Sequence, residues 1–177
     1  MGGISEAQPD LPIALRACKV GFPDSCDVPK IIQSPESSDN SAWTIYFMTG
    51  NDDCKKYALG SQEIPEVKVG DVIKLVGSGQ VDSCLAALKD RYCQVTTGTT
   101  KCTPPTGTWP DLTVPIIDCD GNLSSGTVLG FATIDLNEVQ SAPQKKVVST
   151  LQCNVVASGP PGGLFAGTYS NQPVLVK

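Results

Sequence analysis

The sequence predicts an α+β fold dominated by β-structure: a twisted sheet or small, partly open barrel of five to seven strands with two short helices, stapled by disulfides. Three observations carry this. Runs rich in Val, Ile and Thr, bounded by Gly, Pro and Asp, read as strands. Only two windows combine helical periodicity with capping residues. The cysteines, Cys18, Cys26, Cys54, Cys84, Cys93, Cys102, Cys119 and Cys153, form an even set of 8 with no C-x-x-C pair. Redox and zinc motifs need two sulfurs close together in the chain, so this wide spacing points to disulfides and an oxidising compartment. The set allows on the order of a hundred pairings. Local geometry favours Cys18 with Cys26, across a short Gly-Pro loop, and Cys119 with Cys153, between two strand-like segments.

Composition narrows the function classes. The chain has 177 residues, 40% of them hydrophobic and 18% charged, enough apolar material for one folded domain and too little charge for a disordered tail or coiled coil. Its net charge is -5 and it has no basic run longer than Lys145-Lys146, which argues against nucleic acid or anionic lipid as a partner. The 0 histidines exclude Ser-His-Asp and Cys-His catalysis, His-liganded metals and an imidazole pH switch.

Taken in order, residues 1–12 are polar and Pro-containing and read as a flexible arm, with residues 13–177 as one globular extracytoplasmic domain. The segment 34–41 is a polar connection. Core structure starts near Trp43. Asn51-Asp52-Asp53 caps a short helix that ends at Leu59, with Gly60 in the left-handed position that closes it. Val67 to Val76 alternates on both sides of Gly70-Asp71 and reads as two strands around a bend. Val81, Cys84, Leu85, Leu88 and Tyr92 recur at helical spacing, with Asp82 as the cap, and their stripe is expected to lie on the sheet. Thr96 to Thr108 is a Thr, Gly and Pro loop stapled through Cys93 or Cys102. The runs 112–118, 127–136 and 146–156 are strands, with Pro115 pushing the first toward an edge or bulge.

No catalytic or cofactor-binding residue emerges. Asp118, Asp120 and Asn122 alternate beside Gly121 in the manner of calcium ligands, but Leu129 stands where an EF-type loop needs a bidentate Glu, so the segment reads better as an Asp-Gly hairpin turn than as a metal site. Ser124-Ser125-Gly126 and Ser158-Gly159-Pro160 lack a partner base, and Gly159 to Gly163 has prolines where a phosphate needs amides. Paired carboxylates for a hydrolase leave no signature at sequence level. The tryptophans available to stack on a sugar are Trp43 and Trp109.

The order of segments has a family resemblance. Trp43-Thr44 after a polar linker, Val67 to Leu75 followed by a helix, Val114-Pro115-Ile116-Ile117-Asp118-Cys119, Val128 to Ile134, and Gly162-Gly163 through Tyr169 to Leu175-Val176-Lys177 together resemble the extracytoplasmic part of bacterial TadE/TadG-like proteins associated with Flp (tight-adherence) pilus assembly. The resemblance covers roughly residues 13 to 177 and rests on turns and core strands. It implies an N-terminal pilin-like membrane helix before the soluble region, and it transfers no functional residue. Met1 to Asp10 contains no export signal, so the native N-terminus, a cleaved signal or an anchor, is expected to have been removed or replaced. The expectation is a non-enzymatic surface domain without cofactor, contacting other pilus or envelope proteins and touching the membrane only through that missing helix. A secreted glycan- or calcium-dependent binding module, contacting its ligand through Trp43, Trp109 and the Asp118 loop, is the alternative. A hydrolase with paired acids comes last.

Overall fold

The computed structural model describes residues 5–19, 26–33, 41–50, 52–76, 81–103, 106–119 and 124–153. Among the described residues nine strands and two helices run in the order β1 (Glu6–Ala7), β2 (Ile13–Arg16), β3 (Pro29–Gln33), β4 (Ser41–Tyr46), α1 (Asp52–Leu59), β5 (Val67–Lys68), β6 (Val72–Leu75), α2 (Val81–Thr97), β7 (Trp109–Ile117), β8 (Ser125–Gln140) and β9 (Lys146–Gln152). A single 3-10 turn, Ala17–Lys19, follows β2. The fold is α+β and predominantly β, as the patterning predicts.

Strand pairing closes a ring. From β2 the ladder passes to β4, β6, β8 and β7, and β7 returns to β2 in parallel register, with Leu15 opposite Ile116. A five-stranded barrel results, with no free edge along that circuit. The 16-residue β8 makes this possible. Its first residues pair with β6, its middle with β7, and its second half with β9, which carries β3 on its far side. The β3–β9 pair is therefore a flap hung on the end of β8. Where β6, β8 and β7 converge, the Ile117 side chain packs onto the backbone of Gly126: a Cβ added there would lie 2.7 Å from Cδ1 of Ile117.

Side chains alternate between two apolar clusters. In β2, Ile13 and Leu15 join one and Ala14 the other. The smaller cluster takes residues from all five ring strands, including Ala14, Ala42, Ile73, Ile117 and Phe131, and is joined by Tyr57 of α1. The larger contains the stripe of α2, where Cys84, Leu85, Leu88 and Tyr92 are all buried, packed with Ile13, Trp43, Val114, Ile134 and Val147. These four positions of the predicted stripe thus form the inner face of α2, Val81 lying outside the residues whose burial is described, and all six positions of β4 are buried. Helix α1 stops at Gly60, whose φ of 78° is the left-handed closing position. Gly70, at φ 96°, makes the bend between β5 and β6 while Asp71 Oδ2 accepts the Lys68 amide at 2.9 Å.

Several expectations are corrected. Residues 5–12 are not a loose arm: β1 pairs with β5, Leu11 is fully buried, and Asp10 exchanges hydrogen bonds with Thr113 through its own amide (2.9 Å) and its carboxylate (2.7 Å). Two residues are too few to show a period, which is why β1 carries no pattern. The two strands expected around Gly70-Asp71 are present, β5 pairing with β1 and β6 with β4 and β8. Pro115 lies in an interior strand, and the β7–β8 register shifts on either side of it, between Trp109 and Leu112 and between Ile116 and Ile117. Asp82 stands within the first turn of α2 and pairs with Lys145 at 3.2 Å. The stretch after Gln152 that extends the last predicted strand, from residue 154 on, lies outside the described residues, as do residues 34–40.

Candidate functional site

All eight cysteines pair, with none left free among the described residues: Cys18–Cys119, Cys26–Cys153, Cys54–Cys84 and Cys93–Cys102. Their Cα–Cα distances of 6.1, 5.4, 5.7 and 5.5 Å lie in the range that a disulfide bridges without backbone movement. The pairings Cys18–Cys26 and Cys119–Cys153 are overturned. Cys18 follows the end of β2 and Cys119 the end of β7, and the parallel register of those strands brings the two ends together. Cys26 precedes β3 and Cys153 follows β9, meeting at one end of their antiparallel ladder. Proximity in sequence misleads because the partners are placed by ladders closed across more than a hundred residues. The staple of Cys93 to the following loop stands, with Cys102 as its partner.

The two tryptophans are interior residues. Trp43 is 2% exposed and Trp109 is 9% exposed, so neither presents a face to a sugar, and both are withdrawn as glycan contacts. The Arg91 guanidinium covers Trp109 at 5.0 Å from the ring centroid, and burial lowers its pKa against an opposing pull from Asp10. Gly60 leaves room for that guanidinium: a Cβ there would lie 3.0 Å from Arg91 Cζ. Tyr46, fully buried, donates to the Leu11 carbonyl at 2.5 Å and meets Tyr57 edge-on at 5.8 Å between ring centroids. Burial, followed by Tyr57 and Asp10, raises the Tyr46 pKa well above 10.0.

One polar constellation left no trace in the sequence. Gln152 Nε2 donates to Asp111 Oδ1 at 2.9 Å and to Asp135 Oδ1 at 2.5 Å, while Asp135 Oδ1 also accepts the Asp111 amide at 3.0 Å. Asp111 has φ 61° and sits where the β7–β8 register shifts between Trp109 and Leu112. The only available signal was the polar alternation of β8 and β9, which reads equally as an ordinary outer sheet face. Chemically the arrangement is a pin. Both carboxylates act as acceptors from one amide and hold the bulge that turns Trp109 inward, whereas a hydrolase needs one carboxyl free to give a proton to its substrate. Nearby, Thr150 Oγ1 donates to Asn137 Oδ1 at 2.7 Å, and Lys146 lies 3.7 Å from Glu138. The outer β8–β9 face is thus largely satisfied by its own residues.

Asp118 is tied to the opposite strand: its amide donates to the Thr127 carbonyl at 3.1 Å and Oδ1 accepts the Thr127 amide at 3.2 Å. That is hairpin chemistry. Asp120 and Asn122 lie outside the described residues. Among the described residues no group of three or more Cys, Asp or Glu side chains is arranged to hold a metal ion, and no helix is long and apolar enough to cross a membrane. No family model, curated protein or solved structure matches the chain. The four disulfides indicate an oxidising, extracytoplasmic environment.

Proposed function

We propose that this chain is a non-enzymatic cell-envelope domain, displayed outside the cytoplasm and acting through protein contacts in pilus assembly or adhesion. The observation that carries it is the complete disulfide framework, which suits a protein folded and kept in an oxidising compartment. The pilus assignment draws its support from the order of segments resembling TadE/TadG-like extracytoplasmic regions, and with it comes the expected membrane anchor ahead of Leu11. An acidic surface, net charge -5, suits a protein partner better than nucleic acid or anionic lipid.

The test is made in the bacterium that carries the gene. A membrane-impermeant amine label applied to intact or outer-membrane-permeabilised cells is expected to modify the protein, and deletion of the gene is expected to reduce piliation or surface attachment. Restoring the soluble region without an upstream apolar stretch of about 20 residues, the length that spans a bilayer, is expected not to rescue attachment. Recovery of the protein from the cytoplasm with its cysteines reduced would overturn the reading.

A further inference from the structure

We propose that Cys26–Cys153 is a mechanical clamp: tension that enters the chain ahead of Cys26 and leaves it after Cys153 passes through this disulfide and bypasses residues 27–152.

It starts from where the clamp sits. Among the described strands β3 lies at the end of the sheet order and pairs with β9, antiparallel, from Pro29 opposite Thr150 to Gln33 opposite Val147. The start of β3 and the end of β9 therefore lie at the same end of the ladder. Pulling those two ends apart loads the rungs one at a time, so the pair would peel open from Pro29 and Thr150. The Cys26–Cys153 bond lies just beyond that end, with Asp27 donating to the Leu151 carbonyl at 2.8 Å and Cys26 bridged to Leu151 beside it. Peeling cannot begin while the bond is intact.

A second covalent path stands behind the first. If Cys26–Cys153 is cut, load crosses Cys18–Cys119 and runs along the chain to Cys153, through β8 and β9. The part ahead of Cys18 has no covalent protection, and it is the part held most deeply by packing. Leu11, Ile13 and Ala14 are all 0% exposed, Tyr46 donates to the Leu11 carbonyl, and Asp10 shares two hydrogen bonds with Thr113.

Single-molecule stretching of the full chain, with handles on its two ends, tests this. In the oxidised protein, lengthening is expected to stop at the flanks ahead of Cys26 and after Cys153. In Cys26→Ser/Cys153→Ser the covalent path lengthens by about 26 residues, a contour gain of roughly 90 Å at about 3.5 Å per residue. Should that variant fail to fold, the oxidised wild type held at constant force in a phosphine reductant supplies the same reading. Cys18 is exposed while Cys26, Cys119 and Cys153 are half-buried, and reduction of Cys18–Cys119 alone adds no length, so the first lengthening step marks the loss of Cys26–Cys153. It has the same size where Cys18–Cys119 is still closed and is longer where that bond has already been reduced. A release of the 27–152 core from the oxidised chain, or no step on reduction, would overturn the proposal. The measurement uses isolated protein, so a failure of the envelope reading leaves its outcome unaffected.

Discussion

The barrel and the β3–β9 flap are held together in different ways. Every residue of β4 is buried, three of the four in β2 are buried, and the disulfide next to this core, Cys54–Cys84, is itself buried and joins α1 to α2 across 30 residues. In the flap, β9 buries only alternate residues, β3 leaves Ile31 39% exposed while burying Ile32, and the disulfide spans 127 residues. Apolar burial stabilises in proportion to the area removed from water, so the flap gains far less from it. Covalent closure over a long loop, which restricts the unfolded chain more the longer the loop, compensates where packing is thin.

The strongest way to break that comparison is to remove the rim disulfides in turn. Loss of Cys26–Cys153 alone is expected to cost about 4 kcal/mol, because Cys18–Cys119 still shortens the ring it would have closed. Loss of Cys18–Cys119 as well is expected to cost about 5 kcal/mol more, enough to unfold a domain of ordinary stability. Urea midpoints of the Ser variants measure both steps. A small effect of losing Cys26–Cys153 would show that the flap is held by its ladder and the comparison would fall, whereas the Cys18–Cys119 step reports on the barrel strands β2 and β7.

Next in size is the interior. Phe131, wholly buried in β8 within the smaller cluster, is expected to cost about 3–5 kcal/mol as Phe131→Ala. Val148, half-buried on the outer face of β9, is expected to cost less than about 1 kcal/mol as Val148→Ala. Chemical denaturation of the two proteins sharpens the contrast between barrel and flap, and comparable losses would contradict it.

Legibility follows the same divide. The stripe Cys84, Leu85, Leu88 and Tyr92 is readable because a helix repeats every 3.6 residues and one face is buried along its length. Gly60 and Gly70 are readable because their backbone demands glycine. The alternation of β8 shows a strand but cannot show that its two halves serve different neighbours, and that division closes the barrel and hangs the flap. Cysteine partners were unreadable for the same reason, since the ladders that place Cys18 beside Cys119 join residues far apart in the chain. The Asp111–Gln152–Asp135 pin depends on a bulge with no side-chain signature.

A buried tyrosine gives a smaller and pH-dependent effect. Tyr46→Phe leaves the Leu11 carbonyl without its hydroxyl donor, an expected loss of about 1–3 kcal/mol. The folded-state pKa of Tyr46 is raised above the ordinary 10.0, so the neutral phenol is favoured by folding. Its contribution is complete below pH 10 and is lost as pH rises toward the folded value, because the unfolded chain releases the proton first. Stability of the wild type should therefore fall above about pH 10, with Tyr57, also raised by burial and then by Asp53, adding to the slope. Tyr46→Phe should flatten the alkaline limb, and a limb of unchanged slope would assign it elsewhere.

The smallest expected effect separates two electrostatic contributions that share one residue. Asp82 sits in the first turn of α2, where a negative charge faces the positive end of the helix dipole, and its carboxylate also lies 3.2 Å from Lys145. The pair is exposed, 40% on the lysine and 58% on the aspartate, so screening by water limits it to about 0.2–1 kcal/mol. The dipole adds about 0.3–1 kcal/mol at low salt. Lys145→Gln removes only the pair, whereas Asp82→Asn removes the pair and the dipole interaction while keeping the side-chain shape. Asp82→Asn should therefore be the more destabilising of the two in urea at low ionic strength, and the difference should shrink at about 1 M salt, where the screening length is about 3 Å. Equal losses would mean that the α2 terminus gains nothing from its first-turn acid, and that the link between α2 and the turn leading into β9 rests on the ion pair alone.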